Sequence, residues 1–152
     1  MQAILFTKDG FEKLKEEQAK LLVKRPTAVN NLQRARELGD LSENGAYKAA
    51  RAELSQLDSR LRHLNRLITQ AKIIEAVNAA TVGIGTRVGV KEGEKEATYS
   101  IVGGYESNPA EGKISINSPI GRMLLGRKVG DTVEIIIPKG KVAYTITSIA
   151  IK

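Results

Sequence analysis

The chain has 152 residues, with no cysteine, no tryptophan, one histidine and six aromatic side chains (2 Phe, 4 Tyr). The missing cysteines exclude a disulfide framework, a thiolate nucleophile and any cysteine-ligated zinc or iron–sulfur site, and the lone His63 excludes a His-rich metal site. Lys and Arg outnumber Asp and Glu by 24 to 17, and the net charge of +7 points to anionic partners, nucleic acid first and acidic protein surfaces second. No run approaches about 18 apolar residues, and Met1 to Gly10 lacks the basic-then-apolar order of a signal peptide. A soluble, cytoplasmic chain is expected.

In chain order, the first half reads as two helices. Phe11, Leu14, Gln18, Leu21, Arg25, Ala28, Leu32 and Ala35 recur at spacings of three and four, with Leu22 and Val29 widening the stripe. Pro26 removes an amide from this helix and predicts a kink or break near Lys24 to Pro26. Tyr47, Ala50, Leu54, Leu57, Leu61, Leu64, Ile68 and Ala71 form a second, unbroken seam of coiled-coil type. Two such seams joined by a short turn predict an antiparallel hairpin. Gly39 suits a left-handed helix C-terminus, and Ser42, Asn44 and Gly45 disfavour a continuous helix. The second helix, over 42–75, would be about 50 Å long at 1.5 Å per residue.

Composition changes near residue 77. Residues 1–77 hold three glycines and one proline; residues 78–152 hold 11 glycines and three prolines, with β-branched runs such as Val133 to Ile137. The expected boundary therefore separates a coiled-coil domain, 1–77, from a sheet domain, 78–152, with Asn78 to Thr86 as linker. Strands are predicted over 86–90, 98–102, 113–116, 132–137 and 142–151. Ser118-Pro119 reads as an N-cap followed by proline at the first helical position, opening a short helix 119–125 that Gly126 ends. The expected class is α+β: a long helical hairpin, then a small antiparallel sheet with one short helix.

Asp40 and Glu43 bracket the hairpin turn, and their Asp-x-x-Glu spacing has two readings. One is a capping box, with acidic side chains favoured at a helix N-terminus. The other is a pair of hard oxygen ligands suited to Mg²⁺, too few for an octahedral shell and so dependent on water and a partner's ligands. Spacing alone leaves both open.

Three separated segments, in order, resemble the bacterial Gre transcript-cleavage factors (the GreA/GreB family). They are Met1 to Ile4 with Thr7 to Leu14; Ala35 to Asn44 continuing to Tyr47, Ala49, Ala50 and Arg51; and Ile101-Val102-Gly103, Ile114 to Ile120, Gly126 and Val129-Gly130-Asp131. Leu41 looks more like GreA, to which the chain is the more similar, while the basic second helix looks more like GreB. The resemblance implies an FKBP-like second domain, without implying prolyl isomerase activity. It implies docking of that domain on bacterial RNA polymerase, near Ser118, Pro119 and Ile120, with the coiled coil passing down the secondary channel. Asp40 and Glu43 would then help hold a Mg²⁺ shared with the polymerase and position water. The reaction is hydrolysis near the 3′ end of backtracked nascent RNA. By this reading the protein is a catalytic accessory, not an enzyme on its own, and a monomer is expected.

Around the tip, Asn44 is first a turn residue, with a role orienting water or metal as the alternative. Tyr47 either packs in the seam or touches RNA or polymerase. Lys48 and Arg51, with Arg34 and Arg36 opposite, either hold RNA phosphates or form a solvated helix face. Arg60, Arg62 and Arg66 read as solvent-facing or polymerase-contacting. One position departs from the family pattern: many relatives carry an acid immediately before the tip tyrosine, where this chain has Ala46. Two competing functions are a non-catalytic channel-binding regulator that inhibits or remodels polymerase, and a generic coiled-coil adaptor. An isolated nuclease is disfavoured, because two candidate ligands and no general base are present.

Overall fold

The computed structural model describes residues 3–39 and 44–151. By its contacts the chain forms two compact units. Glu12–Gln70 makes one; the chain up to Phe11 joins everything from Ala71 onward in the other. The sequence reading places a single boundary at 77/78. The divisions at 11/12 and 70/71 arise because two short strands, β1 (Ile4–Phe6) and β2 (Ala71–Ile73), pair in parallel with each other.

Helix α1 spans Lys8–Arg36 and α2 spans Gly45–Gln70. At 26 residues, α2 is shorter than the expected 42–75. Its C-terminal end gives way to β2, whose pairing with β1 is continued by the Ile74 amide donating to the Phe6 carbonyl at 2.9 Å. Helix α1 continues through Pro26, so of the expected kink or break there is no break. The local cost is that the Leu22 carbonyl loses its helical donor.

The predicted seam is the buried face of the hairpin. Ala50, Leu57, Leu61 and Leu64 are buried on α2, and Ala28 and Ala35 on α1. Ala28, Leu57 and Leu61 form one cluster, with Leu21 and Leu54 packed against it. The polar interruptions in the α1 seam are met by polar partners on α2. Gln18 donates its side-chain amide to Asn65, and Arg25 forms a two-pronged pair with Asp58 at 2.7 and 3.2 Å. Beside them, Arg60 pairs with Glu17 at 2.7 and 2.8 Å. Leu22 does not widen the stripe; it is exposed. Leu67, outside the predicted seam, is buried.

The other unit holds a five-stranded sheet of β3 (Thr86–Glu92), β4 (Lys95–Val102), β5 (Lys113–Ser115), β6 (Thr132–Ile137) and β7 (Gly140–Ile151), in the order β5-β4-β3-β7-β6. It is antiparallel except at β4–β5, which is parallel. Residues 103–112, with a 3₁₀ turn at Pro109–Glu111, give the chain the length to cross over and re-enter in the same direction. Helix α3 (Pro119–Leu124) packs against both β5 and β6. The core holds Val82, Val88, Val90, Ile101, Ile114, Leu124, Val133, Ile135 and Ile146, aliphatic throughout, as the low aromatic count requires. The expected linker is largely built into this unit. Val82 is a core residue whose amide donates to the Arg127 carbonyl at 2.9 Å and whose carbonyl accepts from Gly126 at 2.8 Å.

Candidate functional site at the hairpin tip

Helix α1 ends at Arg36. The Leu38 amide donates to the Ala35 carbonyl at 3.3 Å, and Gly39 takes a left-handed φ of 107°. That conformation disfavours any residue with a Cβ, and it is the helix-ending role expected of this glycine. Leu38, beside it, is 73 % exposed.

On the far side of the turn, Asn44 caps α2. Its Oδ1 accepts the Tyr47 amide at 3.0 Å, and its carbonyl accepts the first helical bond, from Lys48, at 3.1 Å. Its Nδ2 donates to the Ala35 carbonyl at 2.8 Å, across the hairpin. Both ends of this side-chain amide are therefore occupied in closing the turn. A helix that begins at Gly45 takes its N-cap from Asn44, four positions after Asp40. The cap that one reading assigns to Asp40 is filled by another residue.

Asp40 and Glu43, the predicted catalytic and Mg²⁺-binding pair, lie outside the described residues. Tyr47 is half-buried, as a seam position requires, while Lys48 and Arg51 are exposed on α2 and Arg34 and Arg36 are exposed at the end of α1. An open groove of about 370 Å³ runs beside the tip between Asn31, Arg34, Ala35 and Leu38 of α1 and Ala46, Ala49, Ala50 and Glu53 of α2. Ala46 lines this groove with three other alanines, Ala35, Ala49 and Ala50. Of the more distant arginines, Arg60 is held by Glu17 and Arg66 lies 3.3 Å from His63 Nδ1.

The second predicted surface is the start of α3. Ser118 Oγ accepts the Gly121 amide at 3.0 Å and donates to the Ser115 carbonyl at 2.7 Å. Pro119 is exposed and Ile120 is packed against the core. Ser118 is thus a helix cap, Ile120 mainly a core residue, and Pro119 the member of the three that faces outward. Exposed apolar side chains lie close by in sequence, at Met123, Leu125 and Val129. The sequence reading does not single these out. Their signal is the run Met123-Leu124-Leu125: with Leu124 fully buried, its neighbours, about 100° away on a helix, face elsewhere.

Fold and tip together define a protein with a helical hairpin and a small mixed-sheet unit on one chain. Residues 4–73 match the family model for the transcription elongation factor N-terminal domain, and residues 77–151 match that for the GreA/GreB C-terminal domain. Relatives named transcription elongation factor GreA include one from Geobacillus kaustophilus, 44 % identical with 94 % of each chain covered. Another, from Nitratiruptor sp., is 38 % identical, covering 96 % of this chain and 92 % of its own. The chain belongs to the GreA/GreB family of transcription elongation factors. Among solved structures, GreA factor homolog 1 (Gfh1) of Thermus thermophilus is 27 % identical, covers 98 % of this chain and 99 % of its own, and has a TM-score of 0.47. Among the described residues, no helix is long and apolar enough to cross a membrane.

Proposed function

We propose that this chain is a transcript-cleavage factor that acts, as a monomer, on backtracked RNA polymerase. Its sheet unit docks on the polymerase by the surface around Pro119, which the Ser118 cap and the core residue Ile120 hold in place, and its helical hairpin enters the secondary channel. The observation that carries the reading is the closed tip. Asn44 ties the start of α2 to the end of α1, and the intervening segment carries two carboxylates, Asp40 and Glu43. Family membership, with relatives named as elongation factors, supports it.

The donor set fits a shared Mg²⁺. Two carboxylates offer the hard oxygens that Mg²⁺ takes and leave its octahedral shell incomplete. Asp40 and Glu43 would hold the ion together with ligands from the polymerase. When bound there, it would stabilise the entering and leaving oxygens of phosphodiester hydrolysis. Asn44 keeps the turn closed, and Tyr47 anchors the first turn of α2 in the seam. Lys48 and Arg51 place positive charge beside the tip, where it attracts the phosphates of the displaced RNA 3′ segment. The cleavage is the polymerase's own, and the chain is its accessory.

The test is a halted, backtracked complex incubated with the protein and Mg²⁺. Asp40→Asn and Glu43→Gln should each abolish release of 3′ fragments while leaving polymerase binding intact. The isolated chain should not cleave RNA. Normal fragment release by both variants would overturn the tip-carboxylate mechanism, and inhibition without fragment release would point to a non-catalytic regulator.

A further inference from the structure

Thr7 is the N-cap of α1: its Oγ1 accepts the Gly10 amide at 3.1 Å. Such caps are commonly completed by Glu or Gln three residues on, whose side chain returns to the cap residue's own amide. Here that position is Gly10, which has no side chain. The acid comes from Glu106, 99 residues away, whose Oε2 accepts the Thr7 amide at 2.8 Å. The Thr7 hydroxyl donates to Oε1 of the same carboxylate. Oε2 also accepts the Gly103 amide at 3.0 Å, and the Glu106 amide donates to the Gly103 carbonyl at 3.1 Å.

Two glycines make room for this arrangement. A Cβ on Gly10 would fall on the Glu106 carboxylate, and one on Gly103 would fall on the Leu5 carbonyl. Next to it, Tyr105 stacks on Phe6 with ring centroids 6.3 Å apart. Both carboxylate oxygens of Glu106 thus accept hydrogen bonds, Oε1 from the Thr7 hydroxyl and Oε2 from the Thr7 and Gly103 amides.

We propose that Glu106 is a positioning residue. It supplies, from the loop after β4, the acid of a capping box that α1 omits from its own sequence. The first turn of α1 is thereby formed on the sheet unit and held to it. This shared cap sits at the start of α1, the helix that runs from Lys8 to Arg36 and whose sequence leads on to Asp40. The functional consequence, though not the shared cap, rests on the cleavage reading above.

The experiment uses the full chain, with amide hydrogen exchange read at Thr7 and Gly103 and cleavage of a backtracked complex read against protein concentration. Glu106→Ala should accelerate exchange at both amides. It should also lower the saturating cleavage rate by about tenfold or more, with half-saturation little changed, as misplacement of a distant catalytic group does. Gly10→Ala should reproduce this in the parent chain yet be harmless once Glu106 is replaced. The decisive variant combines Glu106→Ala with Gly10→Glu, moving the acid to its usual place on the helix. Protection at Thr7 should return, protection at Gly103 should not, and cleavage should stay low. Full recovery of cleavage in that variant would reduce Glu106 to a local cap and overturn the positioning role. Unchanged exchange at Thr7 and Gly103 in Glu106→Ala would overturn the shared cap itself. A parent chain that binds polymerase but releases no fragments would sink the cleavage reading, while the exchange data still decide the cap.

Discussion

The side-chain amide of Asn44 donates to the carbonyl of Ala35 at 2.8 Å, so the residue that starts the second helix also ends the first. The two halves of this amide do separable work, and two substitutions separate them. Asn44→Asp keeps the oxygen that accepts from Tyr47 and adds a charge favoured at a helix N-terminus, but loses the donor to Ala35. Asn44→Ala loses both, at about 1 kcal/mol for the cap alone. Exchange at the Tyr47 amide should rise in Asn44→Ala and stay protected in Asn44→Asp. Cleavage stimulation should fall in both.

The hairpin's cross-pairs make a specific pH response. The Arg25 guanidinium, hydrogen-bonded to Asp58, holds that carboxyl below its ordinary value, and Arg60 does the same to Glu17. Acids whose folded pKa is depressed stabilise the fold above their unfolded pKa, about 4, and lose that contribution as pH falls through the folded value. Melting temperature should therefore drop on acidification below about pH 4. The drop should shrink in a chain carrying Asp58→Asn and Glu17→Gln, and added salt should reduce the difference, since all four side chains are partly exposed.

Pro26 is exposed, in the interior of α1. Pro26→Ala restores a donor to the Leu22 carbonyl and a residue of the highest helix propensity, so the chain should gain about 1–3 kcal/mol. Denaturant titration of the parent and the variant measures this directly. A loss of stability would mean that the ring makes contacts worth more than the missing bond.

At the start of α3, Ser118→Ala should cost about 1 kcal/mol through loss of the cap. Gly121→Ala should cost more, because a Cβ there would meet the Ser115 carbonyl. Pro119→Ala, at an exposed position, should leave stability within about 0.5 kcal/mol and weaken polymerase binding. Thermal melts and a polymerase binding titration check the three together.

The regular elements are legible in the sequence because their signals are local. The three-and-four spacing from Tyr47 to Ile68 places the seam, β6 falls on its β-branched run, and Ser118-Pro119 marks the start of α3. What is illegible depends on distant partners. Strands β1 and β2 are three residues each and have no alternation to reveal them; only their mutual pairing makes them strands. The same pairing ends α2 at Gln70, where an apolar pattern continues past it. Asp40, Ser42 and Asn44 are all competent helix caps, and composition does not choose among them. Glu106 is the extreme case: a capping box whose acid lies 99 residues away has no local signature. For the candidate site, the glycine turn and the seam position of Tyr47 are read correctly in advance. The capping role of Asn44 emerges only from the folded chain.

The two polar layers of the hairpin are spaced alike on both helices: Gln18 and Arg25 are seven residues apart, as are Asp58 and Asn65. An aliphatic seam with that repeat tolerates sliding by one heptad, since leucine exchanges for leucine. The polar layers do not tolerate it. A slide that sets Gln18 against Asp58 brings Arg25 toward Arg51, cation against cation, and strands Asn65 without its amide partner. The pairs thus act as a vernier on the length of the tip: they count out how many residues remain between the helices, and hence which side chains stand at its end.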